Sequence, residues 1–502
     1  MHFKCKIQGT LNLNCFKICT QVMLCYIDRQ KLRGVFFVKF KKEKVNRVDS
    51  DQAKKSVVAT GIGNAIEWFD FGLYAQLAVV ISANFFGNLP QEMQIVSTFA
   101  VFAFAFIVRP IGGIFFSHIG DKYGRKVVLS STILLMAAST LMLGLLPTQD
   151  QIGIWAPILL LVVRMIQSFS TGGEYAGAMT YIAESSPDKA RGKLGSGLEI
   201  GTLAGSIMAA ALAGLMYALL SDQQMADWGW RIPFILAAPL GIVGIFLRTG
   251  LDESPAYEST LEEQEELEYS YLDIFKYYWK DIIVCFAGVA FLNVANYMVL
   301  SFMPSYLNST INLGGTMSSI LSTVTMLVMI PAVFFFGWYS DKVGNKNTIL
   351  FGLIGFSLFS VLAFWLMSIP MIPVVILGLF IIALFMSTFE GVMPSVLPSM
   401  FHTKVRLRTL SLVYNIGAAI FGGLTPFILS MLVQTTGQEI SPSYYLMFIN
   451  VIGLIIFLTM FKSTSNKSLR GNYPNVENQE EYEDVIQNPK DALWWEDEVK
   501  KD

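Results

Sequence analysis

Long apolar runs dominate this sequence and limit what it can fold into. Runs of about 20 residues, the length that a helix needs to cross the hydrocarbon core of a bilayer, recur along the whole chain. Because the bilayer core offers no water to backbone groups, so many crossings of this length require hydrogen-bonded helices. The chain is therefore predicted to be an all-α multi-pass membrane protein. We predict twelve spans, at 56–82, 94–117, 127–146, 153–178, 195–220, 231–249, 281–307, 315–339, 347–367, 371–393, 408–433 and 443–461.

Composition agrees with a membrane protein and argues against several other classes. Hydrophobic residues make up 53% of the 502 residues and charged residues 15%, against about 25% charged in soluble domains. The net charge of −2 comes mostly from an acidic tail and one acidic loop, so it does not point to nucleic acid, and no nucleic-acid partner is expected. Four of the five cysteines lie in the first 25 residues without zinc-type spacing. We expect no metal site, no disulfide framework and no cofactor.

The positions of Lys and Arg predict the orientation in the membrane. Short cytoplasmic loops hold most of the positive charge, and here the basic clusters occupy alternate connections, at 122–126, 189–193, 342–346 and 404–408. Both termini are therefore predicted to be cytoplasmic, in a plasma-membrane protein that contacts lipid around its circumference. We expect a functional monomer.

Polar segments divide the spans into two groups of six. The acidic string LEEQEELE lies in the middle connection and reads as a solvated linker. We expect the C-terminal tail, which holds Trp494 and Trp495, to be acidic and mostly disordered. The first fifty residues are either a true extension or the product of an over-extended start of translation, with the native protein beginning near 45–51. The predicted organisation is an extension (1–50), two six-helix halves (51–250 and 281–462), a cytoplasmic linker (251–280) and a tail (463–502).

A short motif repeats between the two halves. GDKYGRK (120–126) follows the second span, and SDKVGNK (340–346) follows the eighth span. The first copy resembles the signature loop of the major facilitator superfamily, whose members are twelve-helix transporters with two pseudosymmetric halves. The resemblance implies that Asp121 and Arg125 are gate residues, with Asp341 as the weaker counterpart. Asn345 stands where the second copy would carry Arg.

Longer strings narrow the resemblance to one branch. GNAIEWFDFGLY, RPIGG, RMIQSFSTGGEYAGAMTYIAESSP and YNIGAAIFGGLTPF resemble the metabolite:proton symporters, over nearly all of 55–462. Within that branch they are most similar to proline/betaine osmoprotectant transporters. The branch also contains transporters of dicarboxylates, citrate and shikimate. The resemblance therefore implies proton-coupled transport of a small solute, but it does not fix the identity of that solute.

Charged residues within the predicted spans are costly and therefore indicate function. On the first span, Glu67 and Asp70 belong to one polar stripe at helical spacing, and Arg164 belongs to a second stripe on the fourth span. At about 1.5 Å per residue, Asp70 and Arg164 both lie near mid-membrane. We predict an ion pair between them, alternating with Glu67, with Arg109 of the second span as another cationic partner. The alternative is a static pair that only holds two helices together.

The proton carrier is predicted to be Asp70 or Glu67. A neighbouring Arg lowers the proton affinity of a carboxylate, so movement of that Arg couples protonation to transport. The three histidines lie outside the spans or at a cytoplasmic end, which disfavours a histidine relay. Sodium remains an alternative coupling ion. Among the other buried acids, Glu174 is assigned to the inner gate, whereas Glu199 receives no role.

The substrate is expected to be a zwitterion. The second half carries no basic residue at mid-membrane, whereas a dianion would require at least two cations. The carboxylate of a zwitterion is expected to bind Arg164 or Asn side chains, and its ammonium to lie among aromatic rings. A dicarboxylate, citrate or another small organic acid is the alternative substrate. The candidate binding residues are Trp68, Phe71, Tyr74, Asn293, Asn296, Tyr297, Glu390, Tyr414 and Asn415.

Three other functions fit the sequence less well. A drug-exporting antiporter would carry a Gly-Pro signature in the fifth span, but this span contains glycines and no proline. The glycine spacing at 197, 201 and 205 predicts close helix packing. A non-transporting receptor would not need the coupling charges and the gate loop. An enzyme would need a nucleophile, metal cluster or phosphate loop, so no catalytic residue is assigned.

Overall fold

Twelve helical spans lie in the part of the chain that the structure describes, as the sequence predicts. The computed structural model describes residues 45–123, 125–249 and 271–487, apart from the side chains of 50, 91–92, 117–118, 120–130, 240, 242–249, 271–273 and 404. The first half contains, span by span, the helices Ser50–Gln76 with Ala78–Phe86, Gln91–Phe106 with Arg109–Tyr123, Arg125–Leu145, Trp155–Thr171 with Glu174–Ser185, Arg191–Leu219, and Arg231–Thr249. The first span bends by 61° where its two helices meet.

The second half repeats this arrangement. Its spans are Tyr271–Asn296 continuing through π-helical turns to Thr310, Gly315–Val343, Asn345–Met367, Ile372–Ser399, Thr403–Gly417 continuing through a π-helical segment to Leu424–Thr436, and Ser441–Thr459. Within the described ranges, nine helices are long and apolar enough to cross a membrane, and the bent first span is a tenth. The helices Arg125–Leu145 and Arg231–Thr249 complete the predicted twelve.

Glycines allow the first and fifth spans to pack backbone against backbone. A Cβ atom on Gly201 would lie 2.3 Å from the carbonyl oxygen of Gly61, and one on Gly205 would lie 2.1 Å from the carbonyl oxygen of Ala65. Real Cβ atoms do not approach a carbonyl this closely, so any larger residue would push the helices apart. The interpretation of this glycine spacing as helix packing is confirmed.

The two halves contact each other on both sides of the molecule. On the side that carries residues 45 and 487, called here the terminal side, Gly192 of the fifth span packs on the Gly337 carbonyl of the eighth. On the opposite side, the Ser319 hydroxyl donates to the Gln76 side chain at 3.2 Å. The space between the halves is therefore bounded by contacts at both ends.

The predicted disorder of the tail is wrong for residues 463–487. Strand β2 (Asn475–Val476) pairs in parallel with strand β1 (Asn46–Arg47), and a helix follows at Gln479–Gln487. The side chain of Asn475 is buried and donates to the main-chain carbonyl of Glu184 at 2.9 Å. Polar residues of the tail therefore satisfy helix-end carbonyls, a stabilisation that low hydrophobicity does not reveal.

Several expected segments fall partly or wholly outside the described residues. These are most of the N-terminal extension, the linker up to 270, and the end of the tail with Trp494 and Trp495. The remainder of the expected linker, 271–280, is helical and forms the beginning of the seventh span.

Candidate functional site

Breaks in the second and fourth spans bring the predicted polar residues together. The helix Gln91–Phe106 ends shortly before Arg109, which begins the next helix of the same span. A Cβ atom on Gly172 would lie 2.2 Å from the carbonyl oxygen of Arg109, and one on Gly112 would lie 2.0 Å from that of Phe169. Glycine at these two positions is therefore what lets the second and fourth spans touch at the level of Arg109.

Arg109 forms a buried ion pair within its own half and a hydrogen bond to the other half. Its Nη2 atom donates to Oε1 of Glu67 at 3.1 Å, and its Nη1 atom donates to the hydroxyl of Tyr297 on the seventh span at 3.3 Å. The side chains of Arg109 and Glu67 are 4% and 2% exposed. The positive charge of Arg109 is thus neutralised by a carboxylate of its own half.

Asp70 is held by two other spans. Thr140 of the third span donates its hydroxyl to Oδ1 of Asp70 at 2.5 Å, and the Gln167 amide of the fourth span donates to Oδ2. The carbonyl oxygen of the same Gln167 amide accepts from Nη1 of Arg164. The expected direct ion pair between Asp70 and Arg164 is therefore corrected to a bridged one, because Gln167, one turn beyond Arg164, occupies the space between them.

The guanidinium of Arg164 is buried among aromatic rings. Its Cζ atom lies 3.9 Å from the ring centroid of Tyr74 and 5.3 Å from that of Phe102. Tyr74 donates its hydroxyl to the carbonyl of Thr98. The Nη2 atom of Arg164 has no hydrogen-bond partner. A buried cationic donor without a partner is the group expected to meet an anionic ligand.

Five aromatic side chains surround the two arginines and are called here the aromatic cluster. They are in contact, with ring centroids 5.5 Å apart for Trp68 and Tyr297 and 4.8 Å apart for Phe102 and Phe106. Phe71 lies between, 6.2 Å from Phe102. The sequence predicts Trp68, Phe71 and Tyr297 at the site but misses Phe102 and Phe106, although their spacing of four places them on one helix face.

The remaining predicted binding residues of the second half have different environments. Asn293 donates to a carbonyl of its own helix, that of Val289, at 2.8 Å. Asn296 is buried, and its Oδ1 atom has no partner. Asn415 donates across the halves to the carbonyl of Gly172, at the break in the fourth span. The side-chain amide of Asn415 therefore links the two halves.

Glu390 lies with another acid rather than with the aromatic cluster. It is fully buried on the tenth span, and it interacts electrostatically with Glu199 of the fifth span. Glu199 accepts a hydrogen bond from Tyr175, whose ring stacks on Tyr414 at 4.8 Å. Tyr414 in turn interacts electrostatically with Arg109. A path of polar groups thus connects Arg109 to the two acids.

The terminal side carries the predicted gate residue Asp341. Its carboxylate accepts from the backbone N–H groups of Gly192 and Lys193, at 2.7 and 2.8 Å. These N–H groups belong to the first turn of the fifth span, where a helix favours negative charge. The side chains of Asp121 and Arg125 lie outside the described residues.

One gate contact was not predicted, and one expected gate residue lies deeper than expected. Arg406, which is fully buried, donates to Oε1 of Glu184 at 2.6 Å across the two halves. Its place in the basic string KVRLR had suggested only a loop charge. Glu174 begins the helix that ends at Ser185, so it lies about 16 Å along the helix from the terminal side. The fourth span was predicted to end at 178, whereas its helix continues to Ser185, so Glu174 lies further from the helix end than expected.

A sequence model of the Major Facilitator Superfamily matches residues 60–426 and 285–484. The chain belongs to this superfamily. It is therefore a membrane transporter built from two six-helix halves, and not an enzyme. Among its described residues, no group of three His, Cys, Asp or Glu side chains has the arrangement of a metal site.

Relatives within the Major Facilitator Superfamily cover almost the whole chain. A protein of Staphylococcus aureus (strain COL), which carries the provisional name proline/betaine transporter, is 52% identical over 92% of this chain and 99% of its own length. The glycine betaine/proline/ectoine/pipecolic acid transporter OusA of Dickeya dadantii (strain 3937) is 38% identical over 89% of this chain and 91% of its own. The proline/betaine transporter of Escherichia coli (strain K12) is 38% identical over 88% and 90%.

Solved structures of the superfamily share the fold. The proton:xylose symporter XylE, bound to 6-bromo-6-deoxy-D-glucose, aligns with a TM-score of 0.68 at 15% identity, over 84% of this chain and 98% of its own. A partially occluded, inward-open conformation of the xylose transporter XylE from E. coli aligns with a TM-score of 0.64 over 82% and 99%. At this identity the likeness concerns the fold alone.

Proposed function

We propose that this chain is a secondary active transporter that couples proton entry to the uptake of a zwitterionic osmoprotectant, such as proline or glycine betaine, by alternating access. The observation that carries the proposal is the Nη2 atom of Arg164, a buried donor without a partner beside the aromatic cluster. The names of the relatives at 52% and 38% identity support the same substrate class.

Charge balance supports proton coupling at Asp70. Glu67 and Arg109 neutralise each other, and Asp70 and Arg164 balance through Gln167. Protonation of Asp70 removes one negative charge and leaves Arg164 with an uncompensated positive charge in a low-dielectric site. A substrate carboxylate restores the balance, so proton and substrate favour each other's binding. The co-transported ion is accordingly a proton.

The aromatic cluster supports recognition of the other end of the substrate. A quaternary or secondary ammonium is attracted to the faces of Trp and Tyr rings, by about 2 kcal/mol when both are desolvated. Trp68 and Tyr297 come from different halves and lie 5.5 Å apart. An ammonium bound against both rings would contact both halves at once, as alternating access requires.

The proposed setting is the plasma membrane, with both termini in the cytoplasm. The basic clusters at 189–193 and 342–346 belong to the terminal side, which the positive-inside tendency assigns to the cytoplasm. The two transport domains are proposed to be the six-helix halves at 51–250 and 281–462. The proposed functional unit is a monomer. Proton entry from outside would then drive accumulation inside.

Reconstituted protein in vesicles tests the substrate class. An inward acid gradient should drive uptake of labelled glycine betaine and proline, with competition by ectoine-like zwitterions but not by oxoglutarate or citrate. The variant Arg164→Gln should lose uptake, whereas Arg231→Gln, which alters an arginine bonded to the carbonyl of Gly144, is the matched control. Uptake of a dicarboxylate with no uptake of either zwitterion would contradict the substrate class. Uptake that follows sodium instead of pH would contradict the proton.

A further inference from the structure

Glu199 and Glu390 meet at the interface between the two halves. The fifth and tenth spans run antiparallel, and a Cβ atom on Gly195 would lie 3.3 Å from the backbone nitrogen of Ser395 and 3.6 Å from the carbonyl carbon of Pro394. Glu199 lies one helical turn beyond Gly195, and Glu390 lies one turn from Pro394 in the same direction along the interface. The two carboxyl groups therefore share one level, and they interact electrostatically.

The surroundings of this acid pair contain no compensating cation among the described groups. Both residues are fully buried, and neither oxygen of Glu390 has a hydrogen-bond partner. Glu199 accepts from the Tyr175 hydroxyl and has the Thr202 hydroxyl beside it. Tyr414 also interacts electrostatically with Glu199. The charged groups Arg191 and Asp341 lie about 12 Å further towards the terminal side, near the start of the fifth span.

We propose that Glu199 and Glu390 form a second proton-binding site, distinct from the Asp70 network, which holds a proton between the carboxyl groups while the cytoplasmic side is closed. Two buried like charges at one level repel strongly, and a shared proton converts that repulsion into a hydrogen bond. One carboxyl then donates its O–H to the other. Loss of this proton favours separation of the fifth and tenth spans, which belong to different halves.

A proton fits this site better than a metal cation does. A hard cation takes six or more oxygen ligands at short distance, whereas the described oxygens around the pair are the two carboxyl groups and the hydroxyls of Tyr175 and Thr202. The role in opening rests on the proposed function, because it assumes alternating access. The presence of the proton does not depend on that assumption.

Infrared difference spectroscopy on the purified full-length chain in lipid tests the site directly. As pH rises, the wild type should lose the C=O stretching band of a protonated, non-aqueous carboxyl group. We expect one component of that band to be missing in both Glu199→Gln and Glu390→Gln, and present but shifted in Glu390→Asp, which keeps the acid; any component from Asp70 should remain in all three variants. The control Glu67→Gln, which alters a carboxylate paired with Arg109, should keep the band. An unchanged band in both single Gln variants, or its displacement by sodium at constant pH, would overturn the proposal.

Substrate exchange across the same vesicles separates this proposal from the proposed function. In the wild type the exchange rate should vary with internal pH, and in Glu390→Gln this variation should be lost, because an amide donor to Glu199 replaces the shared proton permanently. Retention of the wild-type pH profile in Glu390→Gln would overturn the role in opening. Absence of any proton-dependent uptake by the wild type would refute the proposed function instead, and the infrared result would still decide the proton site.

Discussion

Asp70 and Arg164 are joined through the side chain of Gln167, which donates to the carboxylate and accepts from the guanidinium. An amide in this position keeps the two charges from forming a closed pair. The Nη2 atom of Arg164 is therefore available to a ligand. The guanidinium still interacts electrostatically with the Asp70 carboxylate. In the proposed function, this bridge links proton binding at Asp70 to substrate binding at Arg164.

Replacement of Gln167 tests this bridge. Gln167→Leu leaves Asp70 and Arg164 buried without their common partner, and a hydrogen bond to a charged group is worth about 1.5 to 3 kcal/mol. We expect the initial rate of acid-driven betaine uptake to fall by at least about tenfold. The control is Gln94→Leu, at an exposed amide that bonds the Leu89 carbonyl. A Gln167→Leu transporter with the wild-type rate would exclude the bridge.

Trp68 is expected to contribute to affinity through its ring face. In Trp68→Leu the cationic substrate loses its contact with the indole, so the apparent affinity for glycine betaine should fall about tenfold, within the range of a desolvated cation–π interaction. Proline should lose less, because its secondary ammonium can also donate hydrogen bonds. Competition binding with both ligands measures the difference. Trp155→Leu, at a side chain that is 63% exposed, is the control, and equal losses in the two variants would contradict the assignment.

Sequence periodicity could predict which residues line the site but not how they pair. Helical spacing placed Glu67, Asp70 and Arg164 on inward-facing stripes because stripes depend only on local geometry. The bridge by Gln167 depends on side-chain packing between spans, which spacing does not encode. The pairing of Glu67 with Arg109 depends likewise on the break before Arg109 and on the close approach of two helices at glycines.

The order of the tail was missed for a related reason. Half of its buried residues are polar, and Asn475 bonds main-chain carbonyls at the end of a distant helix. Hydrophobic patterns detect apolar packing, whereas such hydrogen bonds are visible only in the folded chain. The same holds for Arg406, a basic residue in a loop-like string that proves to be fully buried.

Arg406 should stabilise closure of the terminal side. It pairs with Glu184 at 2.6 Å and also donates to the main-chain carbonyls of Pro398 and Arg470. In Arg406→Gln, hydrogen exchange at 403–417 and 463–476 should accelerate, because breaking a buried pair costs about 3 to 5 kcal/mol. The double variant Arg406→Glu with Glu184→Arg exchanges the two charges. It should not restore protection from hydrogen exchange, because a carboxylate at 406 cannot donate to the carbonyls.

The control for Arg406 is Lys54→Gln, which removes an exposed ion pair with Asp51. Exposed pairs contribute about 1 kcal/mol or less, so exchange in the two segments should stay at the wild-type rate. Full recovery of protection in the charge swap would show that the Glu184 pair alone accounts for closure, contrary to the expectation from the carbonyl contacts.

The most direct test of the central claim is the variant Asp70→Asn, measured for both accumulation and exchange in the same vesicles. Asn has the size of Asp and can still bond Thr140, but it cannot bind and release a proton. The account predicts that Asp70→Asn loses acid-driven accumulation of glycine betaine while it continues to exchange internal for external substrate. Accumulation at the wild-type level in Asp70→Asn would contradict the account.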